Sequence, residues 1–456
     1  MIRIIVVILA AAIPAVMWSL SLLPSWLMVF SLLALFTSLR GLSTKLAFRL
    51  GTLYGFVLYG VSLSWLWSIF TAPAIALWLI LALFCGISAS IIAWSSIRWK
   101  QAAWWPLYIA MVWSSVEYFR CEWFTLRFPW ITAGTAMGPI GITPWIGVYG
   151  ASFLVAWLAA SMIDLRRPQW RHGNCLLIAL LLSVPVRDSD PIDPQNSIPV
   201  MAVQSENCDF FTYIERTQQS NFRDGIILWP EYSVFEDVQT NRWGRDHQLG
   251  IEPLTALARE KNSLIILGQR RIEGDGAWNE ALVIGAEGVI GSHAKNRPVH
   301  FMNDGTPGKT ALPIVTRFGA IATPICFDND YTEVPRRMAT AGAHVFLAPS
   351  MDAEHWSARQ HRQHAELFRL RAVETGRWYM VCATSGVTQV ISPDGKRRAS
   401  LPLMQDGVLT SRVGLRVENT PYIRYGWLFP YLVAALTIIG TIVLWTKRRS
   451  IPRETR

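Results

Sequence analysis

Apolar residues run almost unbroken through positions 1–186, alternate with polar ones from 187 to 427, and dominate again at 428–446. A bilayer crossing takes about 20 mostly apolar residues. Segments that meet or approach this fall near 4–20, 22–38, 48–69, 74–96, 103–117, 144–163 and 173–186, with a last at 428–446. The pattern predicts a multi-span α-helical membrane domain over 1–186 with about seven spans. It predicts a globular domain over 187–427, then a C-terminal span and basic tail over 428–456. Pro14 and Pro24 lie inside the first long run, which leaves two readings open: one long helix with a re-entrant piece, or two spans. Charge favours two, because two spans return the chain to the side of Arg3, where Arg40, Lys45 and Arg49 belong.

The globular stretch alternates in a different way. Buried strands are predicted at 198–205, 224–231, 263–271, 318–326, 344–350 and 378–385. A hairpin is predicted over 277–295 around "AEG", and another over 388–400 around an Asp-Gly turn. A helical stretch at 331–342 separates two of the strands. Strand, helix and hairpin in this rhythm predict an α/β layered domain. The polar, proline-containing "VRDSDPIDPQNS" at 186–197 reads as the linker before it. About 240 residues are enough for a core of its own.

Charge sharpens the topology. Only 16% of residues are charged, against roughly 25% in soluble domains. The net charge of +10 is concentrated at span ends: Arg98 and Lys100, Arg166, Arg167 and Arg171, and the tail from Lys447 to Arg456. This is the cytoplasmic bias of membrane proteins. It places the globular domain on the outer face and excludes a nucleic-acid partner, since no basic stripe with interleaved aromatics is present. The apolar N-terminus has no small-residue cleavage site followed by a polar region, so it reads as a retained span. The loop at 118–143 carries mixed charge and many aromatics, including "FPW" at 128–130. It reads equally as an interfacial aromatic belt or as an arm near the entrance to a site.

Six cysteines, Cys85, Cys121, Cys175, Cys208, Cys326 and Cys382, contain no CxxC pair and rule out a dense disulfide framework. Cys326, in "PICFDND", closes a predicted strand. Glu231 in "LWPEYS" and Lys295 in "SHAKNRP" also stand at or near strand ends. Functional groups of α/β sheets gather at such ends. A thiolate is a strong nucleophile where a cation or helix N-terminus lowers its pKa, and Lys295 offers the cation. A carboxylate can take the thiol proton, and an ammonium can hold an oxyanion. The bland reading is an inert buried cysteine, a turn-capping Glu231 and a solvated Lys295. His355, His361 and His364 read as a polar helix surface rather than a zinc site, for want of a third ligand. A pairing of His300 with Cys326 ranks below the Glu-Lys-Cys reading.

The order "WPE", a hairpin ending in lysine, then a strand ending in cysteine resembles the nitrilase superfamily and its Glu-Lys-Cys triad. With apolar spans before and after it, the chain resembles the apolipoprotein N-acyltransferase family of bacterial inner membranes. Glu117, Arg120 and "FPW" are similar to that family's arm between membrane helices, and "RLRAVETGRWYMVCATSGVTQVISPDG" at 369–395 to its late helix, strand and hairpin. The resemblance implies an αββα sandwich with Glu231 as base, Lys295 as oxyanion partner and Cys326 as nucleophile. It implies no cofactor and no metal. It also implies an acyl chain moving from a phospholipid through a Cys thioester to the N-terminal amine of a diacylglyceryl-cysteine lipoprotein, on the periplasmic face. Three places depart from the family pattern. Cys326-Phe327-Asp328 replaces Cys-Tyr-Glu, with Asp328 a shorter supporting carboxylate and Phe327 lacking a hydroxyl. Asn303 or Asp304 stands where a supporting glutamate follows the lysine. "SMDAEHW" at 350–356 replaces Asn-Asp-x-Trp. Two alternatives stay open. One is a membrane-anchored amidase, or an acyltransferase with another acceptor. The other is a catalytically idle assembly module, as in conjugal transfer.

Overall fold

The computed structural model describes residues 1–99, 102–163, 170–189, 191–235, 237–239 and 250–449. Of the charges at span ends, Lys100, Arg166, Arg167, Arg453 and Arg456 lie outside these. The chain forms two compact units, Met1–Val186 with Tyr425–Arg456, and Arg187–Arg424.

The first unit is helical. Ile2–Ser19 and Trp26–Ser38 are separate helices, with the chain between them carrying Pro24. Thr44–Ser62, Pro73–Trp99, Trp105–Tyr118, Thr143–Met162, Trp170–Ser183 and Phe429–Arg449 are the other long ones. Among the described residues, four helical segments are long and apolar enough to cross a membrane: Ile2–Ser19, Pro73–Ser96, Thr143–Met162 and Gly426–Thr446. Trp26–Ser38 and His172–Ser183 are apolar but shorter.

The 118–143 loop is folded on its own polar groups. Arg120, 1% exposed, donates to the Phe128 and Trp130 carbonyls at 2.7 and 3.4 Å. Glu117 accepts the Ala133 N–H at 2.9 Å, and Ser152 accepts that of Gly134 at 2.7 Å. Irregular backbone among apolar helices needs such internal partners. The loop's aromatics divide: Trp130 is buried, while Phe119 and Trp123 remain exposed.

The second unit is built on two six-stranded sheets. One runs β12-β1-β2-β3-β4-β5 and the other β11-β10-β9-β8-β7-β6. The first comprises β1 (Ser197–Gln204), β2 (Ile226–Leu228), β3 (Leu264–Glu273), β4 (Gly276–Gly285), β5 (Gly288–Ala294) and β12 (Gly407–Gly414). The second comprises β6 (Ile314–Thr316), β7 (Gly319–Ala322), β8 (Val345–Ser350), β9 (Tyr379–Ala383), β10 (Gln389–Ile391) and β11 (Arg397–Ser400). Parallel pairs lie in the middle, β1–β2–β3 and β7–β8–β9, with antiparallel pairs outside.

Period-two alternation sorts each central strand onto two buried faces. Val200, Ala202, Ile226, Leu228 and Ile266 meet Val345, Leu347, Met380 and Cys382 between the sheets. Met201, Val203, Ile227, Ile265 and Leu267 face the other way, onto Tyr213, Leu254 and Leu257. Those three come from the amphipathic helices Phe210–Gln219 and Ile251–Glu260. Ala358–Thr375 packs outside the second sheet, where its Ala365 carbonyl accepts from Gln389 of β10 at 3.0 Å. The layers are therefore helix, sheet, sheet, helix, as expected of an αββα sandwich.

Candidate active site

Each site residue lies beyond a strand rather than on it. Glu231 follows β2 by three residues, Lys295 follows β5 by one, and Cys326 follows β7 by four. The expected strand over 318–326 is shorter than the sequence implies, because Pro324 breaks it. Cys326 instead opens a tight turn, Cys326–Asn329, with φ of +44°. A non-glycine residue in the left-handed region is strained, and such strain persists only where surroundings impose it.

Asp328 supplies part of that imposition. Its carboxylate accepts the N–H groups of Asn296 (2.9 Å), Arg297 (2.8 Å) and Ile325 (3.1 Å), and contacts His293 Nε2 at 3.0 Å. It thus ties the chain just after Lys295 to the chain just before Cys326. The expected supporting carboxylate is a backbone clamp. Phe327 is buried edge-on to Tyr331, with ring centroids 5.1 Å apart, and His300 packs edge-on to Phe327 at 6.5 Å.

Glu231, Lys295 and Cys326 are brought into one pocket of about 200 Å³, together with Asp304, Tyr232, Arg270 and Met351. Lys295, 1% exposed, holds Glu231 Oε1 at 2.7 Å and Asp304 Oδ2 at 2.7 Å. Of the two residues the departure left open, Asn303 and Asp304, it is Asp304 that reaches the lysine. Asn279, in the middle of β4, donates to both acids, at 2.5 Å to Glu231 and 2.7 Å to Asp304. The Tyr232 hydroxyl donates to Asp304 at 3.0 Å. Gly268 of β3 lets the Glu231 backbone come close: a Cβ there would lie 2.5 Å from Glu231 Cα. Met351 joins Glu231 and Cys326 through its backbone. Its N–H donates to Glu231 Oε2 at 2.7 Å and its carbonyl accepts from Cys326 Sγ at 3.6 Å.

Two buried carboxylates share one ammonium, and the environment separates them. Burial pushes the Glu231 carboxyl up; Lys295 opposes this and the Asp304 charge adds to it. Asp304 is also raised by burial, but Lys295 and its hydrogen bonds pull it below the ordinary value. Burial alone would depress Lys295, yet Asp304 and Glu231 hold it well above its ordinary value, as a permanent ammonium. Acids pushed apart in this way take different roles: Glu231 is the one poised to accept a proton. The Cys326 thiol is raised by burial and then by the Glu231 charge, which outweigh Lys295. This corrects the expectation of a cation-lowered thiolate. A raised pKa favours the protonated thiol, so a nucleophilic role for this sulfur would draw on a neighbouring base.

Of the three histidines expected on a polar surface, His355 is exposed but the other two are not. His361 and His364 are buried. His364 Nδ1 lies 2.7 Å from Asp352 Oδ1 and its Nε2 lies 3.1 Å from Asp330 Oδ1. His361 Nε2 contacts the Ala353 carbonyl at 3.0 Å. Among the described residues no group of three or more His, Cys, Asp or Glu side chains is arranged to hold a metal. The His364 clasp joins the end of the Cys326 turn to the residue after Met351. Burial depresses His364, but Asp352 and Asp330 raise it to about 10, while Asp352 falls to about 2. A raised histidine stabilises fully below its unfolded pKa, roughly 6.5, and loses this as pH rises towards the folded value. A depressed aspartate stabilises above roughly 3.9 and loses this on acidification. His364→Gln is therefore expected to cost about 3 kcal/mol between about pH 4.5 and 6.5, with the deficit shrinking towards pH 10. Thermal denaturation of both proteins across that range checks it; a deficit that grows with pH contradicts the clasp.

Two family models match the chain. That described as carbon-nitrogen hydrolase covers residues 213–421, and that described as apolipoprotein N-acyltransferase N-terminal domain covers residues 7–161. A Pseudomonas aeruginosa (strain LESB58) protein named apolipoprotein N-acyltransferase is 28% identical over 492 residues, spanning 94% of this chain and 93% of its own length. Proteins of the same name from Azotobacter vinelandii and Nitrosomonas europaea are 28% and 26% identical, over 94% and 88% of this chain and 92% and 89% of their own. Among solved structures, a carbon-nitrogen hydrolase from Helicobacter pylori G27 is 19% identical with a TM-score of 0.42, covering 51% of this chain and 94% of that one. The N-terminal helices thus match an apolipoprotein N-acyltransferase N-terminal domain and the two-sheet unit a carbon-nitrogen hydrolase domain, and nearly the whole chain is similar to proteins named apolipoprotein N-acyltransferase.

Proposed function

We propose that the protein transfers an acyl chain from a phospholipid to the N-terminal amine of a diacylglyceryl-cysteine lipoprotein, through a thioester on Cys326. The observation that carries this reading is the Lys295 ammonium clamped between Glu231 and Asp304 in the pocket that also holds Cys326. Glu231 takes the thiol proton as sulfur attacks the ester carbonyl carbon. Two of the three ammonium protons of Lys295 are engaged by carboxylates; the third faces the oxyanion that forms. Collapse breaks the ester C–O bond, the glycerol oxygen recovers the proton from Glu231, and a lysophospholipid leaves. The lipoprotein amine then attacks the thioester, gives its proton to Glu231, and the released sulfur is reprotonated. Names of the relatives support the acceptor class, and the apolar helices support a membrane enzyme. The proposed setting is the bacterial inner membrane with the second unit on the periplasmic side, after the distribution of basic residues.

Intact mass spectrometry of the full chain with phospholipid in detergent tests this. Wild type is expected to gain one acyl chain, labile to hydroxylamine, and Cys326→Ala to gain none. A diacylglyceryl-cysteine peptide then discharges the adduct and emerges acylated at its amine. Folded wild type that gains no mass from any phospholipid overturns the proposal. Discharge by water or by other amines alone moves the assignment to an amidase or to another acceptor.

A further inference from the structure

Arg270 of β3 is the one charged residue lining the pocket whose place in the chemistry above is unassigned. Its neighbours are fully engaged. Gln269 donates to Glu280 at 2.9 Å. Arg271 pairs with Glu280 at 3.2 Å and lies over the Trp278 ring at 4.4 Å. Alternation along a strand sends Arg270 to the opposite face from these. That face is the reactive one, on two grounds. Arg270 sits directly across from Asn279, whose side chain holds Glu231 and Asp304. It also stands two positions from Gly268, against which the Glu231 backbone rests. Lys295 is matched by two carboxylates, yet the side chain of Arg270, half-buried, has no hydrogen bond or ion pair among the described residues. The same pocket has apolar lining: Phe235 stacks on Tyr232 with centroids 5.5 Å apart, and Val299, Met302 and Trp356 line it too, with Asn303 the one uncharged amide. A cation with no side-chain partner among the described residues, in one pocket with Cys326 and with apolar side chains, suits a ligand that carries an anion and an acyl chain in one molecule.

We infer that Arg270 binds the phosphodiester of the acyl donor's headgroup and so selects phospholipids over neutral acylglycerols. This rests on the phospholipid-donor reading and names the residue that reads the donor's charge. The planar guanidinium offers two parallel donors to phosphate oxygens, which a lysine ammonium does not. Glu231 is held by Lys295, Asn279 and Met351, so Arg270 acts on the donor rather than on the base.

The test compares thioester formation on full-length protein from a diacyl phosphatidylethanolamine and from the matching diacylglycerol, in the same detergent micelles. The readout is the ratio of the two rates. Arg270→Gln is expected to lower that ratio about 10- to 100-fold, the worth of one charge-assisted contact, and Arg270→Lys to restore part of it. An unchanged ratio overturns the inference, whether both rates persist or both fall together. The donor reading is checked separately with a neutral p-nitrophenyl acyl ester. Wild type acylated at Cys326 by that ester but by no phospholipid overturns the donor reading and this inference with it. Wild type acylated by phospholipid, with Arg270→Gln keeping the same preference, overturns this inference alone.

Discussion

Glu231→Gln is expected to slow thioester formation by about 10²- to 10⁴-fold, the usual contribution of a positioned base. The substitution is nearly isosteric. The new side-chain oxygen can still accept from Lys295 and Asn279, while the new amide group meets the Met351 N–H in place of a carboxylate oxygen. One hydrogen bond is lost, about 1 kcal/mol, so the fold survives. The loss is in proton transfer: the Cys326 thiol is held high by burial, and Glu231 is the carboxylate that shares the Met351 peptide unit with it. The pH profile carries a second signature. Burial raises the Glu231 carboxyl, so wild-type activity climbs with pH over a range above that of an ordinary glutamate. That limb disappears in the variant. Single-turnover acylation across pH checks both, and a variant within tenfold of wild type with an unchanged profile removes Glu231 from the role of base.

Lys295→Met is expected to be inactive and also unstable, which sets it apart. Removing one partner of a buried ion pair costs about 3–5 kcal/mol, because the other charge stays buried. Here two carboxylates are left, Glu231 and Asp304, both previously bound to the same nitrogen. At roughly 2–4 °C per kcal/mol for a unit of this size, the thermal midpoint drops by about 10 °C. The sign of the pH dependence follows. Without the cation the folded-state pKa of each acid lies above its unfolded value, so the deficit is smallest in acid and grows as pH rises. Adding Asp304→Asn to Lys295→Met recovers much of the stability and none of the activity. Calorimetry of the single and double variants reads this directly. A single variant as stable as wild type at neutral pH contradicts the clamp.

The layers of the second unit were legible because its central strands are short apolar runs bounded by turn residues. Hairpin β4–β5 matches the expected 277–295 to within one residue at each end. The short β6 and the exposed, half-polar β12 carry no such signal, and the latter is a strand only because all eight of its residues pair with β1. Glu231, Lys295 and Cys326, which share one pocket, stand out in the sequence by residue type and order, and Asp304 only as one of two positions with Asn303. Their partners do not. Asn279 is a poor strand former in mid-strand, which is the one local hint that it serves another purpose. His293 and His364 are invisible as buried residues, since their carboxylate partners are 35 and 12 positions away. The direction of the Cys326 shift was misjudged for a related reason: neighbouring charge is suggested by sequence, whereas depth of burial is not.

Met351 touches both the base and the sulfur with its main chain alone. Those contacts belong to the peptide unit, so they are present whatever side chain position 351 encodes, with proline the exception for want of an N–H. The codon can drift while the geometry stays fixed. What heredity must preserve is the path of the chain through that point, and it is the neighbouring Asp352, gripped by His364, that stores this information.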